Sequence, residues 1–345
     1  MDDFDFEDLE LETEDELELD FDVVYVKFSK YSKEYAYITF DDVKVGDKVY
    51  VPDKEEALEV IRVENLLEKD LPVEFSKMKE ATLTKPFKTA LEQLRKKNPV
   101  LRLVEKQTEL IGREDIVEDL ICSINKKRIR NSILIGDAGC GKTTIVESLS
   151  ETLKNKYTIL SFNVGELISG TPLRGMVEEK LTNIFNDAIQ FNKNYDHKII
   201  LFIDEFHMIV TDCGCMEAVS LHDILKPYLT NPNIIVIGAT TVKEYNEHIK
   251  KDFALMRRIT PIYVNHLSDS SILKILDNFS NHEIEEEVLL NILNKTKDIP
   301  NTTNPDISLE VLDRIISKHE ILGYKINLEL IDFEINKLKE SYKYI

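Results

Sequence analysis

The sequence predicts an α/β domain, in which helices cover both faces of a parallel β-sheet, with a small β-rich domain before it and a helical lid after it. Three observations lead to this prediction. Between residues 131 and 239, apolar β-branched runs alternate with longer helical patterns, as in βαβ units. Beyond Leu267 the strand signals stop and apolar residues recur at helical spacing. Residues 23–75 instead hold short β-branched and aromatic runs separated by turn-like segments.

The chain divides into five predicted segments. Residues 1–22 hold thirteen carboxylates and no basic residue, so their charge density opposes folding and we interpret them as a disordered acidic tail. The small β-rich domain is assigned to 23–76, and a Lys-rich, helix-prone linker to 77–105. The large α/β domain follows over 106–266, and about four helices form the lid over 267–345.

The α/β domain is predicted from alternating strands and helices. Strands are expected at 131–136, 157–162, 198–203 and 233–239, and helices at 142–154, 176–190 and 215–229. Strands connected through helices in this way form a parallel sheet.

Composition and charge exclude several classes of protein. Asp and Glu outnumber Lys and Arg by 64 to 44, so extended non-specific contact with nucleic acid is unfavourable unless positive charge is locally concentrated. Four cysteines are too few for a secreted disulfide framework. The acidic N-terminus differs from a secretory signal, and the apolar runs are too short to span a membrane. We therefore expect a soluble cytoplasmic protein with no membrane partner.

The stretch ILIGDAGCGKTTIVES, residues 133–148, predicts a phosphate-binding loop. It matches G-x-x-x-x-G-K-[ST] between a predicted strand and a predicted helix, which is the context that this motif requires. Its glycines let backbone N–H groups approach nucleotide phosphates, Lys142 pairs with those phosphates, and Thr143 binds Mg²⁺. Cys140 is interpreted as a small filler residue. The predicted nucleotide-binding residues here are Gly136, Asp137, Ala138, Gly139, Cys140, Gly141, Lys142, Thr143 and Thr144.

A second motif, KIILFIDEFH at residues 198–207, is an apolar strand that ends in two carboxylates. Two adjacent acids at the end of a buried strand need a cation or a reaction to compensate their burial. We expect Asp204 to hold Mg²⁺ through water, and Glu205 to take the proton from the attacking water. Glu205 and Lys142 are therefore predicted catalytic residues.

Two further stretches are consistent with the same reaction. IIVIGATT is an apolar strand that ends in hydroxyls, and Thr241 is placed to position the water or to contact the γ-phosphate. Arg257 and Arg258 follow in LMRRI. Such a pair is either solvated surface or the cation that a neighbouring subunit offers to the γ-phosphate.

Four stretches together resemble the first ATPase module of the Clp-type AAA+ unfoldases and disaggregases. They are IGREDIVEDLICSINKKRIRNSILIGDAGCGKTTIVESL, ISGTPLRGMVEEKL, ILFIDEFHMIV and IGATTVKEYNEHIKKDFALMRRI, within about residues 110–265. The resemblance implies a P-loop AAA+ fold and a ring, usually a hexamer, with ATP between neighbouring subunits. The resemblance also assigns Ile111 and Gly112 to the adenine pocket, Thr241 as sensor 1, and Arg257 and Arg258 as arginine fingers.

The chain departs from the family pattern in three places. In the substrate-gripping pore loop, here Leu173, Arg174 and Gly175, leucine replaces the usual aromatic residue and offers less contact area to a threaded chain. YKINLELID replaces the LPDKAID-like segment that opens the last lid helix, so no lid residue is carried over as a nucleotide sensor. No Clp-type protease-docking loop is recognised in the sequence.

Two other clusters have simpler interpretations. His207, Cys213, Cys215 and His222 form a conceivable zinc set, but C-x-C lacks the usual C-x-x-C spacing, and His207 already belongs to the resembling motif. A basic group between residues 94 and 130 is either a solvated face, a docking surface for a neighbour's acids or a nucleic-acid contact. Its members are Arg95, Lys96, Lys97, Arg102, Lys126, Lys127, Arg128 and Arg130.

The sequence thus predicts a ring-forming, Mg²⁺-dependent ATPase that hydrolyses ATP to remodel or unfold a protein partner bound through residues 1–76. The alternative is an AAA+ switch or loader that acts on a nucleoprotein complex without threading a polypeptide. Leu173 favours neither of the two strongly. A third possibility, a module that uses ATP only for assembly, is disfavoured because the base Glu205 is present.

Overall fold

The computed structural model of the chain describes residues 20–29, 32–52, 54, 56–82, 87–169, 174–210 and 221–342. The chain divides into two compact units, Met1–Gln93 and Leu94–Ile345. The boundary between the units falls within the predicted linker 77–105. None of the helices in the described ranges is long and apolar enough to cross a membrane.

The first unit contains a four-stranded antiparallel sheet in the order β2-β1-β4-β3. Its strands are β1 (Asp20–Lys27), β2 (Glu34–Thr39), β3 (Lys48–Val49) and β4 (Leu58–Leu67). Segment 80–82 bridges both edge strands, because Glu80 pairs with Ile38 and Thr82 pairs with Tyr50. The sheet is therefore closed into a small barrel-like unit around buried valines of β1, β3 and β4.

The first strand begins three residues inside segment 1–22, which the sequence analysis assigns to an unstructured tail. Phe21 pairs with Leu66 of β4, and its ring stacks on that of Phe75 with 4.6 Å between the centroids. The alternation of apolar and acidic residues at the end of the tail therefore belongs to a strand that β4 and Phe75 stabilise. Residues 1–19 lie outside the described residues.

The second unit contains a six-stranded sheet in the order β10-β6-β9-β8-β7-β5. Strands β6 to β10 pair in parallel, and β5 pairs antiparallel with β7. The four strands predicted from sequence, now β6 to β9, are confirmed, whereas β5 and β10 were not predicted. The six strands are β5 (Arg102–Leu103), β6 (Asn131–Ile135), β7 (Tyr157–Asn163), β8 (Lys198–Asp204), β9 (Val236–Thr240) and β10 (Ile259–Tyr263).

Helices occupy the connections between these strands and the C-terminal part of the chain. A π-helical turn, Tyr245–Ile249, follows α8. The helices are α1 (Phe87–Lys97), α2 (Glu114–Ile124), α3 (Lys142–Leu153), α4 (Val164–Ser169), α5 (Arg174–Asn194), α6 (His207–Val210), α7 (Leu221–Tyr228), α8 (Val242–Glu244), α9 (Phe253–Met256), α10 (Asp269–Phe279), α11 (Glu286–Thr296), α12 (Asp306–Leu322) and α13 (Leu328–Tyr342).

The sheet of the second unit is buried on both faces, as the predicted fold class requires. On one face, Leu134 and Phe202 pack in a core cluster with apolar residues of α2 and α3. The strand residues that alternate with them, such as Ile133 and Leu201, are also fully buried. Side chains of successive strand residues point to opposite faces, so both faces are covered. The α/β fold class is therefore confirmed.

The lid consists of the four helices α10 to α13, in agreement with the sequence prediction. Apolar residues from all four helices form one core cluster, which includes Leu276, Ile292, Leu312 and Ile331. Glu334 is also buried there, and Lys318 of α12 donates a hydrogen bond to its carboxylate. The helical spacing of apolar residues in this region thus corresponds to the faces that pack together.

The start of β6 is held by the buried side chain of Asn131. Its Nδ2 donates to the carbonyl oxygen of Leu229 at 2.9 Å, and its Oδ1 accepts from the backbone N–H of Val236 at 2.9 Å. Nδ2 also lies 3.3 Å from the carbonyl oxygen of Arg258. One amide therefore connects β6 with the starts of β9 and β10.

Replacing Asn131 with alanine should lower the free energy of unfolding by about 1–3 kcal/mol, because it leaves buried backbone groups without partners. Urea denaturation followed by circular dichroism measures this loss. Asn125→Ala is the matched control, since it removes an exposed amide that donates to the carbonyl of Ile121 at 2.7 Å. Equal urea midpoints for the two variants would contradict the role of Asn131.

Candidate nucleotide site

Three chain segments with polar residues meet at one edge of the parallel sheet. The phosphate-binding loop follows β6, Asp204 ends β8, and Thr240 ends β9, which lies between β6 and β8. Because these strands are parallel, their carboxyl ends lie at the same edge. The N–H of Gly136 donates to the carbonyl of Thr240 at 3.2 Å, which joins the first loop residue to β9. The structure therefore brings together the predicted phosphate loop, the acid pair and the hydroxyls.

The phosphate-binding loop has the backbone geometry that its glycines predict. Gly139 and Gly141 have φ angles of 75° and 92°, in the left-handed region that glycine adopts without steric cost. No side chain caps the N-terminus of α3, so its first N–H groups are available to an anion. Lys142 Nζ donates to the carbonyls of Gly136 and Asp137 at 2.8 and 2.9 Å. This arrangement suits a nucleotide phosphate.

The two residues of the acid pair, Asp204 and Glu205, have different environments. Asp204 Oδ1 accepts the backbone N–H of Glu205 at 3.0 Å. Glu205 has a φ angle of 51°, an uncommon conformation for a residue other than glycine. Burial raises the pKa of the Glu205 carboxyl, and the negative charge of Asp204 raises it further. A raised pKa moves a carboxylate towards the range of an effective general base.

The chemistry of the donor set fits Mg²⁺. Thr143 lies in the first turn of α3 with an exposed side chain, and Asp204 is half-buried at the end of β8. Hydroxyl and carboxylate oxygens are the ligands that this hard cation prefers, together with phosphate oxygens and water. Both residues thus remain the predicted Mg²⁺ ligands.

The two threonines at the end of β9 have different roles in the structure. Thr241 caps α8: its Oγ1 accepts the backbone N–H of Glu244 at 3.3 Å and donates to Glu244 Oε2 at 2.7 Å. Thr240 is buried, and its Oγ1 lies 3.4 Å from His207 Nδ1. The hydroxyl predicted as sensor 1, that of Thr241, is therefore linked to a carboxylate at this edge.

A cavity of about 590 Å³ lies between the sheet and the lid, next to the phosphate loop. Ile111, predicted for the adenine pocket, lines it together with Leu267 and Ile275. Gly112, with a φ angle of 69°, lies close to the lid, since a Cβ added there would come within 2.7 Å of Ser271 Oγ. The size and the apolar lining of the cavity suit a nucleotide base.

Arg113 is a residue of this cavity that the sequence analysis missed. It is 5% exposed, and its Nη2 donates to the carbonyl of Cys140 at 3.3 Å. Burial lowers the pKa of Arg113. Arg113 directly follows Ile111 and Gly112 in the stretch IGRED, and this proximity to the predicted adenine pocket was the sequence signal that could have found it. Burial raises the pKa of the neighbouring Cys140 thiol, which disfavours the reactive thiolate.

Besides α10, which supplies Ile275 to the cavity, the lid contributes α12 to the site. Asp306 begins α12 and lies against Gly139: a Cβ added to this glycine would come within 2.6 Å of Asp306 Cβ. Pro305 and Leu309 line the cavity. A Pro-Asp pair directly before an apolar helical run was the sequence signal for this lid segment.

The two predicted arginines lie at the opposite edge of the sheet from the phosphate loop. Arg258 directly precedes β10, whose first residue, Ile259, pairs with Asn131 at the start of β6. A five-residue strand therefore separates the arginines from the loop of their own chain by about 15 Å. Arg257 is exposed, whereas Arg258 Nη1 donates to the carbonyl of Ala254.

The remaining predicted residues are less completely described. Leu173 lies outside the described residues, and α5 begins at Arg174, with Gly175 next. Of the conceivable zinc ligands, Cys213 and Cys215 also lie outside them.

Several members of the basic group bind within their own unit. Lys97 pairs with Asp187 at 2.6 Å, and Arg102 pairs with Glu166 at 2.9 Å. Arg130 Nε donates to a backbone carbonyl at 2.6 Å. These contacts favour a structural role over a nucleic-acid contact.

The phosphate loop, the acid pair at the same sheet edge and the helical lid define a P-loop nucleotide-binding protein. Comparison with known proteins gives the family. The family model described as ATPase family associated with various cellular activities (AAA) matches residues 132–264. These residues therefore form an AAA domain, and the chain is homologous to the Clp-type AAA+ ATPases, which confirms the resemblance found in the sequence.

The individual relatives are considerably longer than this chain. Chaperone protein ClpB of Aquifex aeolicus is 30% identical over 301 residues, which cover 82% of this chain and 29% of the relative. The ATP-dependent Clp protease ATP-binding subunit ClpC of Staphylococcus epidermidis is 33% identical over 252 residues, or 67% of this chain and 30% of that protein. The chain thus spans less than a third of the length of these relatives.

Solved structures support the same fold. The Hsp104–ADP complex of S. cerevisiae has a TM-score of 0.59 and 25% identity, over 72% of this chain and 44% of that chain. A closed-state structure of Hsp104 with ATPγS and casein has a TM-score of 0.57 and 24% identity, over 73% of this chain and 44% of that chain. The Clp-type AAA+ fold of the second unit is therefore established.

Replacing Arg113 with methionine should weaken nucleotide binding about tenfold, because it removes the donor that holds the Cys140 carbonyl of the phosphate loop. Titration with a fluorescent ADP analogue measures the dissociation constant. Arg102→Met is the matched control, since it removes an exposed arginine that pairs with Glu166 and should leave the affinity unchanged. An Arg113→Met protein with unchanged affinity would show that Arg113 does not support the loop.

Proposed function

We propose that this protein is a ring-forming, Mg²⁺-dependent ATPase that hydrolyses ATP to ADP and phosphate in order to remodel or unfold a protein partner. The observation that carries the proposal is the meeting of the phosphate loop, Asp204 and Glu205 at one sheet edge in a chain homologous to ClpB and ClpC. The nucleoprotein alternative has no comparable support, because the homologues are protein-remodelling ATPases.

The residues of this edge have distinct roles in the proposed reaction. Lys142 and the N–H groups at the start of α3 bind the phosphates, and Thr143 and Asp204 hold Mg²⁺. The cation supplies charge neutralisation on the phosphate oxygens. Glu205 takes the proton from the water that attacks the γ-phosphorus, and the bond between this phosphorus and the bridging oxygen breaks.

The adenine base is proposed to lie in the cavity between the sheet and the lid, where Ile111 and Gly112 lie on the sheet side. Asp137, Ala138, Gly139 and Cys140 complete the loop around the phosphates. The contact of Asp306 with Gly139 gives the lid a direct connection to this loop. A change at the phosphates therefore has a short path to the lid, which is the element expected to move.

Ring assembly is proposed because the arginines lie far from the phosphate loop of their own chain. The exposed Arg257 is the better placed of the two to reach the γ-phosphate of a neighbouring copy, whereas Arg258 is engaged with the carbonyl of Ala254. A cation at that position stabilises the charge that develops in phosphoryl transfer. A hexamer is proposed by homology.

The protein partner is proposed to bind through residues 1–76 and to contact the pore loop Leu173, Arg174 and Gly175. Hsp104, a structural relative, has been solved with casein. The small barrel-like unit precedes the ATPase unit in the chain and supplies a separate surface for selection of the partner. We place this activity in the cytoplasm, with no membrane partner.

Lys142→Ala and Glu205→Gln should abolish turnover in different ways. The first removes the charge partner of the phosphates and should weaken ATP binding at least tenfold, whereas the second should bind ATP normally and hydrolyse it at least a hundredfold more slowly. Phosphate release and nucleotide titration measure the two effects. Lys154→Ala, at the exposed C-terminal end of the same helix, is the control and should match the wild type. A fully active Glu205→Gln protein would contradict the assignment of the base.

The arginines are predicted to act across subunits. A chain with Arg257→Ala and Arg258→Ala keeps its own phosphate loop, and a Lys142→Ala chain keeps its arginines, so mixed rings contain some complete interfaces. Mixing the two inactive proteins should therefore restore part of the turnover. Native mass spectrometry identifies mixed rings. If such rings form and the phosphate release equals that of the separate proteins, the arginines do not complete a neighbour's site.

A further inference from the structure

The base Glu205 contacts a side chain that the mechanism above does not use. His207 Nδ1 lies 3.3 Å from Glu205 Oε2 and 3.1 Å from Glu244 Oε2. The oxygen of Glu244 also accepts hydrogen bonds from Thr241, from Oγ1 at 2.7 Å and from the backbone N–H at 3.2 Å. The buried Thr240 hydroxyl lies 3.4 Å from both His207 Nδ1 and Glu244 Oε2. A continuous polar path thus connects the end of β9 with the catalytic carboxylate.

We propose that His207 is a positioning residue that sets the carboxylate of Glu205 and, through Glu244, couples it to Thr241. This inference rests on the proposed function, since it assumes that Glu205 is the base. His207 acts through Glu205 and Glu244, and no contact with substrate is assigned to it.

The geometry gives the imidazole a choice between two acceptors. A nitrogen beside two carboxylate oxygens carries its proton, and one N–H forms only one well-aligned hydrogen bond. When it is directed to Glu205, it holds that carboxylate in place. When it is directed to Glu244, Glu205 Oε2 loses this contact and the carboxylate is no longer fixed. The N–H of His207 therefore has two possible arrangements, since the distances from Nδ1 to the two carboxylate oxygens are similar.

The contacts of Glu244 with Thr241 determine which arrangement is favoured. Burial raises the pKa of Glu244, but the hydrogen bonds from Thr241, the nearby His207 and the hydrogen bond from Thr240 together outweigh burial, and the pKa lies below the ordinary value. Because Thr241 already satisfies this oxygen of Glu244, the N–H of His207 remains for Glu205. The contacts of Thr241 with Glu244 therefore favour the arrangement in which the base is held.

The exposure and the backbone conformation of Glu205 make such positioning necessary. Its side chain is 45% exposed, whereas that of His207 is 15% exposed, so the carboxylate would otherwise sample several rotamers. Its backbone has the φ angle of 51°, which persists only where surrounding contacts support it. His207 begins α6 two residues further along the chain and is the less exposed member of the pair. The imidazole therefore fixes the more mobile partner.

The test compares His207→Ala, His207→Asn and Glu244→Gln in steady-state ATP hydrolysis. An asparagine amide places an N–H close to the position of Nδ1, whereas alanine places none there. We expect His207→Ala to lower kcat about tenfold with KM for ATP within twofold of the wild type, and His207→Asn to recover most of kcat. His248→Ala, in the π-helical turn beside Glu247, is the control and should leave both constants unchanged.

A double variant tests the coupling itself. If His207 and Glu244 act along one path, His207→Ala with Glu244→Gln should lose no more kcat than the more impaired single variant, rather than the product of the two losses. An unchanged kcat in His207→Ala, an asparagine variant as slow as the alanine variant, or multiplied losses in the double variant would each overturn the proposal. Normal nucleotide affinity and an unchanged thermal midpoint exclude simple misfolding.

The Glu205→Gln protein, measured in the same assay, separates this inference from the proposed function. If Glu205→Gln is inactive and His207→Ala is fully active, the positioning role fails and the ATPase assignment stands. If Glu205→Gln is fully active, the assignment of the base fails, and the inference fails with it.

Discussion

The parallel pairing of β6, β9 and β8 is the constraint on which the site depends, because it places the carboxyl ends of all three strands at one edge. Each strand carries a different group at that end: the phosphate loop, the hydroxyls of Thr240 and Thr241, and the acid pair. The amide of Asn131 fixes the opposite ends of β6 and β9 by bonding to backbone groups there. A shift in this register would move Glu205 relative to the phosphates without any change in the motifs themselves.

The same sheet also underlies the proposal that the site is completed between copies of the chain. Its carboxyl edge carries the nucleotide-binding residues, whereas Arg257 and Arg258 precede β10 at the amino edge, a strand length away. In the proposed ring of identical chains, the amino edge of one copy faces the carboxyl edge of the next. Within a copy, Asp306 connects the loop to the lid, and polar contacts lead from Thr241 through Glu244 and His207 to Glu205.

Features encoded by neighbouring residues could be predicted from the sequence, and features that depend on tertiary contacts could not. Strands β6 to β9 are apolar runs beside motifs with strict spacing, so the fold class and the phosphate loop follow directly. Strand β10 was not predicted because Pro261 lies in its middle, and a proline argues against a central strand. An edge strand such as β10 tolerates proline. Arg113 and Asp306 reach the site only through folding, because each is separated from its partner in the loop by a long stretch of sequence. The contact of His207 with Glu244 was hidden in the same way, because Glu244 lies in α8, after a different strand of the sheet.

The most direct test of a site completed between copies is the ATP turnover per chain as a function of protein concentration, measured alongside assembly by analytical ultracentrifugation. We expect the turnover per chain to rise with concentration in parallel with the fraction of assembled rings, and to approach zero where only single chains are present. A turnover per chain that stays constant down to concentrations at which sedimentation shows only monomers would contradict this view, because a single chain would then contain the whole catalytic site.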